Sequence, residues 1–272
     1  MTPQTPQTIL RGAVLALLVL AGCRGAAPPS PLLPPRKTPP TGPASATGSV
    51  LPVTTGWERA GLGLEYRVSE VAGGLAQVVA LQADPALLSV QVWDARQDGL
   101  PGERAREFAK RHGAVAVING GFFDEDREPL GLLIHRGERR SKLRKVDWGI
   151  FLVAGGKARI VHTREGVPAG TREALQCGPR LVIAGRVPRF RPGESQRSGV
   201  GVTAEGRVVL AAISRGELSL ADFARVLKAW GCRDALNLDG GPSSQLYAKW
   251  GVLTLDLPGL YGVPNAIALV ER

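Results

Sequence analysis

Aromatic residues make up only 5% of this 272-residue chain, which also has a single methionine, three cysteines and three histidines. So few aromatics leave no stacking surface for single-stranded nucleic acid. A net charge of +10, from 34 Lys and Arg against 24 Asp and Glu, would by itself permit phosphate binding. Three cysteines cannot build a disulfide scaffold; Cys177 and Cys232 fit no zinc spacing, and an exported location would merely permit a bond between them. His112, His135 and His162 lack the i, i+4 or short-loop pairing of a metal site and read as surface or packing residues, so no metal or other cofactor is expected. Long apolar runs are missing as well. The only continuous one lies between Arg11 and Cys23, about half of the roughly 20 residues a membrane-spanning helix needs, which excludes a polytopic membrane protein.

That short run has an address written on it. Arg11 precedes Gly12–Leu20, the positive start and apolar core of a secretory signal, and Leu20-Ala21-Gly22-Cys23 resembles the lipobox of bacterial lipoproteins, in which the Cys becomes the acylated first mature residue. An ordinary cleaved signal or an uncleaved anchor is the alternative. Residues 1–22 are therefore expected to be the signal, Cys23 the lipidation site, and 23–56 a tether. From Arg24 to Gly56 the chain holds 9 of its 21 prolines and almost no aliphatic periodicity, so it cannot bury enough surface to fold. The expected location is exported, membrane-anchored, facing the periplasm or the cell exterior.

From Trp57 to Arg272, β-rich runs alternate with turn signals: Leu75–Leu81, Leu87–Trp93, Gly149–Val153, Ala158–Val161, Leu181–Ala184, Gly199–Thr203, Arg207–Ile213 and Ala266–Val270. Gly155-Gly156 and Glu205-Gly206 sit between paired runs as hairpin turns. Helical period appears twice, over Gly102–His112 and over Ser219–Trp230, where Ser219 and Asp222 make a capping box. The expectation is an α+β fold, a single mixed α/β domain with a largely β core, two principal helices and motif loops converging at strand ends.

The two helices share a sequel. The first runs through Gly113 into Ala114–Ile118 and ends at Asn119-Gly120-Gly121; the second runs through Gly231 into Ala235–Leu238 and ends at Asp239-Gly240-Gly241. Runs this apolar read as strands buried on both faces. If they lie parallel and close, Asn119 and Asp239 reach the same sheet edge, the place where α/β sheets hold ligands. Each Gly-Gly could alternatively be no more than a tight turn.

Four ordered stretches carry a family resemblance. Asn119-Gly120-Gly121-Phe122-Phe123 with Pro129–Leu132, Gln176-Cys177-Gly178-Pro179-Arg180, Arg197-Ser198-Gly199-Val200-Gly201 and Asn237-Leu238-Asp239-Gly240-Gly241-Pro242-Ser243-Ser244 together resemble the phosphodiester glycosidase family. This is the family of N-acetylglucosamine-1-phosphodiester α-N-acetylglucosaminidase and of bacterial proteins labelled exopolysaccharide-biosynthesis related. Pro242 departs from it, since the sugar-uncovering members have a third Gly there. The resemblance implies a hydrolase that removes a sugar from a phosphodiester of a cell-envelope glycan or glycolipid. A non-catalytic envelope polysaccharide-binding or assembly lipoprotein is the alternative.

Breaking an anomeric C–O bond develops an oxocarbenium-like centre, and Asp239 is the candidate to oppose that charge, as nucleophile or as base for water; a turn-capping Asp is the plainer reading. The leaving phosphate needs charge neutralisation more than a proton, which suits Arg197 unless it is an ordinary surface residue. Backbone N–H groups of Gly120, Gly121, Gly240 and Gly241 could form an anion nest. Asn119, Gln176, Asn237, Ser243 and Ser244 would read sugar hydroxyls, with Phe122 and Gly178 beside them. For a general acid, Glu128, Asp124, Asp147 and Glu194 stand open. Ser243 as a nucleophile fails, because no His follows it in the chain.

Three motifs mislead. Gly199–Ala204 fits G-x-G-x-x-A, but a hairpin turn follows where a phosphate-binding helix would have to open. Asp124–Glu128 spaces acids as some calcium loops do, without the Gly and distal Glu of an EF-hand, so calcium is weighed and not supported. His135–Lys145 carries six Lys or Arg with one Glu, a solvated face or a flank for an anionic glycan or phospholipid headgroups. The expected partners are a phosphorylated or anionic glycan and, through the lipid anchor, a membrane; nucleic acid is not among them.

Overall fold

Residues 51–272 are described by the computed structural model. The signal segment, Cys23 and the tether up to residue 50 lie outside the described residues. Packing begins before Trp57: Leu51 rests on the core, and buried Thr54 donates its N–H to the Val68 carbonyl at 3.0 Å.

Most of the fold is β-sheet because most of the chain is short, β-branched runs broken by glycine turns. A seven-stranded sheet runs Glu58–Gly61, Leu64–Val71, Ala76–Ala83, Val208–Arg215, Ser198–Thr203, Cys232–Asn237, Arg180–Val182. A second sheet runs Glu138–Ser141, Leu133–His135, Thr171–Cys177, Gly149–Ala154, Lys157–His162, and a third Leu253–Leu257, Leu246–Trp250, Ala114–Asn119, Asn265–Glu271, Leu88–Asp94. Every ladder is antiparallel. The expected turn at Gly155-Gly156 closes the Ala154–Lys157 pair with φ of +56° and +73°, the left-handed values that glycine adopts at no steric cost.

All three sheets turn one face into a common core, to which Leu81 and Leu236, Phe151 and Leu175, and Ile118 and Leu269 contribute. Helix α1 (Ala105–His112) covers the other face of the third sheet, seating Phe108 against Trp93. Helix α2 (Leu220–Ala229) covers the outer face of the first, with Phe223 and Leu227 fully buried. Each such side chain contributes about 1.5–3 kcal/mol by leaving water. The Ser219 hydroxyl accepts the Asp222 N–H at 3.0 Å and so caps α2 as expected.

This layering corrects the parallel-strand expectation. The apolar runs Ala114–Ile118, in strand Ala114–Asn119, and Ala235-Leu236, in strand Cys232–Asn237, have a core on one side and a helix on the other, yet they belong to different, antiparallel sheets. What the repeated helix, glycine, strand, Gly-Gly sequence encodes is a pair of similar corners, one on each sheet.

Candidate active site

The two corners meet. Asp239 donates its N–H to the Gly120 carbonyl at 3.0 Å, while its own carbonyl accepts the Asn119 Nδ2 at 2.7 Å and the Ser198 hydroxyl at 2.9 Å. Asn119 Oδ1 in turn accepts the Gln245 N–H at 3.1 Å. The Asp239 backbone is thus pinned from two sheets, and its half-buried carboxylate stands at the junction. Behind it lies Cys177. Burial pushes that thiol up to about 12; the N–H groups of Phe122 and Gly178 act against the rise and the Asp239 carboxylate adds to it, which places acid and thiol within electrostatic reach. Cys177 and Cys232 are both free.

The glycines are needed for close approach. A Cβ on Gly120 would fall on Asn265 Oδ1, and one on Gly121 would lie 2.9 Å from the Gln176 carbonyl. Their amides are already donated: Gly120 to the Asn265 carbonyl at 2.9 Å, Gly121 to Asn265 Oδ1 at 2.6 Å, and Gly241 to the Gln196 carbonyl at 2.8 Å. The expected anion nest is therefore corrected at these three amides, which brace the corners. Gly178 has no room for a Cβ either, since Trp148 Cδ1 would be 2.6 Å away.

Trp148 packs on Phe122, ring centroids 5.1 Å apart, and the Arg144 guanidinium lies 5.7 Å above the Trp148 ring. Both rings are partly exposed and form an aromatic wall beside the Gly121 corner. The next residue, Phe123, goes the other way. It meets Tyr261 edge-to-face at 6.4 Å, the Arg127 guanidinium lies 5.2 and 5.4 Å from the two rings, and Ser243 Oγ bonds the Tyr261 hydroxyl at 3.3 Å.

Several expected roles change. The main chain beside Arg197 is bonded to the Asp239 corner, Leu238 donating to the Ser198 carbonyl and Gly241 to the Gln196 carbonyl, but the Arg197 guanidinium has partners of its own. Ser198, Val200 and Val202 face the common core, so Arg197 shares the opposite face with Gly199, where a Cβ would meet Phe223 of α2 at 3.0 Å. Its guanidinium donates to the Gly193 and Leu218 carbonyls at 2.9 and 3.2 Å, and burial lowers its pKa. Gln176 has its full hydrogen-bonding capacity filled: Oε1 accepts the N–H of Leu132 and of Arg144, and Nε2 donates to the Arg144 carbonyl and Thr163 Oγ1. It organises a loop and has nothing left for a sugar. Asn119 is similarly committed. Glu128 is exposed and ion-paired to Arg96, which also holds Asp94 at 2.6 Å. Asp124 caps its own turn, accepting the Asp126 and Glu128 amides, which is what its acidic run does in place of a calcium loop. Asp147 bonds His162 at 2.7 Å, and Glu194 lies in a two-stranded ribbon.

Three atoms on the motif strands are buried without a protein partner: Asn237 Oδ1, Ser244 Oγ and Asn265 Nδ2. Asn237 Nδ2 is held by the Gly178 and Leu238 carbonyls at 3.0 and 2.7 Å, fixing which way Oδ1 points. Buried polar atoms ordinarily find partners, so these are the groups a bound hydroxyl or water would satisfy.

Sequence reasoning missed Asn265, Trp148 and Ser198. Asn265 was marked only by being polar just before the apolar run Ala266–Val270, and its pairing beside the Asn119 corner is visible only in the register, Ala266 opposite Asn119. It left Arg180, inside a quoted motif, without a role. That residue pairs with Leu236 and so shares its core-facing side, and its guanidinium, after the His162 hydrogen bond, helps hold the Asp147 carboxyl below the usual range.

The β-rich fold has solved counterparts. The fold is similar to the catalytic domain of zebrafish N-acetylglucosamine-1-phosphodiester α-N-acetylglucosaminidase auto-inhibited by its pro-peptide, with a TM-score of 0.63 and 16% identity over 77% of this chain and 84% of that one. A putative exported protein from Burkholderia pseudomallei (TM-score 0.56, 14% identity, 72% and 74% of the chains) and a hypothetical protein from Synechocystis (0.55, 19%, 78% and 62%) share it. In sequence, 152 residues are 32% identical to the uncharacterised Escherichia coli K12 protein YigE, covering 50% of this chain and 59% of that protein's length. Residues 112–270 match the phosphodiester glycosidase family. The chain belongs to that family.

Proposed function

We propose that the protein is a hydrolase that cleaves a sugar-1-phosphate diester in a cell-envelope glycan or glycolipid, exported and held at a membrane through a lipid on Cys23. The observation that carries this reading is the pinning of Asp239 by Gly120, Asn119 and Ser198. Its main chain is held from two sheets, and the residue is partly exposed. A carboxylate so fixed opposes the positive charge of an oxocarbenium-like transition state without reorganising. The Phe122–Trp148 wall offers an apolar face to a sugar ring, and Asn237, Ser244 and Asn265 offer their unpartnered polar atoms to its hydroxyls. Arg180 and Arg144, on the Trp148 side, take the neutralising role expected of Arg197. A phosphate diester leaves as a stable anion, so cations serve it better than a proton donor.

The test is release of free sugar from a chromogenic sugar-1-phosphate diester by the purified protein. Asp239→Asn keeps every main-chain bond of the pin and should cut turnover by about 10²–10⁴-fold with the thermal midpoint little changed. Full turnover in that variant would remove Asp239 from the reaction. Saturable glycan binding without turnover in the unaltered protein would leave a binding protein on the same scaffold.

A further inference from the structure

The basic segment recognised in the sequence has a definite place. Its first part is the edge of the second sheet, Leu133–His135 paired with Glu138–Ser141. Charge on an edge strand guards against edge-to-edge pairing, which accounts for Arg139 and Arg140. It does not account for Lys142, Arg144 and Lys145, which lie beyond the strand. That stretch is anchored from below: the Arg144 N–H and carbonyl bond the buried Gln176 side chain at 2.9 and 2.7 Å, and Ser141 Oγ donates to the Gly131 carbonyl at 2.5 Å. A solvated loop needs no such clamp. Among the described residues, Arg139, Lys142, Arg144 and Lys145 have no carboxylate within salt-bridge distance, whereas Arg140 has Glu138 at 2.5 Å.

Arg140, Ser141, Lys142, Leu143 and Arg144 form one wall of a groove of about 540 Å³; Glu128, Pro129 and Leu130 form the other. One wall continues from the corner that holds Asp239, whose N–H bonds the Gly120 carbonyl. Leu130 donates its N–H to the Phe122 carbonyl at 2.9 Å, so the far wall is the return of the loop that starts at the Gly120-Gly121 corner. The near wall ends at Arg144, whose guanidinium covers Trp148, the partner of Phe122. The lone acid on the rim, Glu128, is neutralised by Arg96 from its own side and repels an incoming anion little. A sugar on the Phe122–Trp148 wall would thus send whatever follows its phosphate along Arg144, Lys142 and Arg140, of which only Arg140 has a carboxylate partner among the described residues, Glu138.

We propose that this groove binds the leaving side of the substrate, and that this side is itself a polyanion: a chain of phosphodiester-linked units whose successive phosphates are met by Arg144, Lys142 and Arg140. The inference rests on Asp239 being the reacting centre. It adds that the enzyme works on the sugar end of a polymer in preference to an isolated diester. Arg and Lys grip phosphate oxygens by charge-assisted hydrogen bonds, and several phosphates in register make the attraction steeply dependent on salt.

Two measurements separate this inference from the reading beneath it. The first is binding by the inactive Asp239→Asn protein of a fluorescein-labelled hexamer of phosphodiester-linked glucose, with an unphosphorylated glucose hexamer as control. The phosphorylated probe should bind at least about tenfold more tightly at low salt and lose that advantage as salt approaches about 1 M, where the Debye length falls to about 3 Å. Lys142→Glu, alone and with Arg140→Glu, should weaken it by about tenfold and leave the control unmoved. The second measurement is the ratio of kcat/KM for the hexamer to that for a small chromogenic diester, which should fall in the same variants. If the small diester is not cleaved while binding behaves as described, the catalytic reading fails and the polyanion groove stands. Equal binding of both hexamers, or charge reversals without effect, overturns the groove. So does displacement of the phosphorylated hexamer by anionic phospholipid vesicles more effectively than by its own unlabelled form, since that would make the segment a membrane-facing surface.

Discussion

Asn119 donates its side-chain amide to the main-chain carbonyl of Asp239 at 2.7 Å, although 120 residues separate them in sequence. Nothing local could position that acid so well. The bond joins the third sheet to the first at the corner that mounts Asp239, and the asparagine is fully buried with its carbonyl oxygen held by Gln245. Asn119→Ala leaves the Gln245 N–H without its acceptor and the Asp239 carbonyl with one donor fewer, at about 1–3 kcal/mol for an orphaned buried group. Asn119→Asp keeps the acceptor for Gln245, loses the donor to Asp239 and buries a charge. Urea unfolding should rank both below the parent, and sugar release should fall with them. A variant as stable and as active as the parent would mean the tie holds nothing.

Gly120 makes the same point by volume. A Cβ there would collide with Asn265, whose Oδ1 holds the Gly121 amide at 2.6 Å. Gly120→Ala should therefore displace Asn265 and cost about 1–3 kcal/mol, the range for overpacking a tight site. Asn265→Ala alone should also destabilise, by freeing the Gly121 amide. The double variant should lose less than the sum, because the first substitution has already broken the contact removed by the second. Denaturation midpoints of the four proteins give the coupling directly, and strict additivity would contradict the crowding.

How much of this was legible beforehand depends on range. The hairpin at Gly155-Gly156, the cap at Ser219 and both helices were readable because each is decided within a few residues. The repeated strand and Gly-Gly corner was readable as a repeat, and its two copies do meet. Their assignment to different sheets was hidden, since an apolar run reports burial on both faces and not which layer provides it. Thr171–Cys177 is a strand that the β-rich runs did not include, and Gln176 was read there as a sugar-binding residue; the alternation that buries Ala174 and Leu175 on opposite faces spends Gln176 on a loop. Asn265 and Trp148 act through register and through a neighbour's missing Cβ, neither of which a single sequence displays.

Arg197 and Arg180 provide a paired test of which cation serves the reaction. Arg197 is spent on two carbonyls on the α2 face. Arg197→Ala should lower stability, by leaving the Gly193 and Leu218 carbonyls without that donor, while kcat/KM for the folded fraction changes less than about threefold. Arg180→Ala should do the reverse, cutting kcat/KM by about 10²–10³-fold, as loss of one electrostatic contact to a developing anion does, with a small change in midpoint. Steady-state kinetics on a small diester, alongside thermal melts of both proteins, decides it. If Arg197→Ala loses the activity and Arg180→Ala keeps it, the phosphate approaches from the α2 side.

Cys177 and Cys232 predict how the fold responds to alkali. Burial pushes both thiols from 9.0 up to about 12. Above pH 9 the unfolded chain therefore releases two protons that the folded chain retains. Retention of protons by the folded state means that stability falls as pH rises: the full contribution is present below about pH 9 and is lost progressively towards pH 12. Each thiol accounts for about 1.4 kcal/mol per pH unit in that window. Urea midpoints taken at pH 7, 9 and 10 should drop over the last step. In Cys177→Ala or Cys232→Ala the absolute stability falls at every pH because a cavity is left, but the decline above pH 9 becomes shallower. A slope unchanged by either substitution would show that the thiols are more open to water than their packing beside Asp239 and beneath Gly201 requires, and rapid alkylation of the folded protein at pH 8 would show the same.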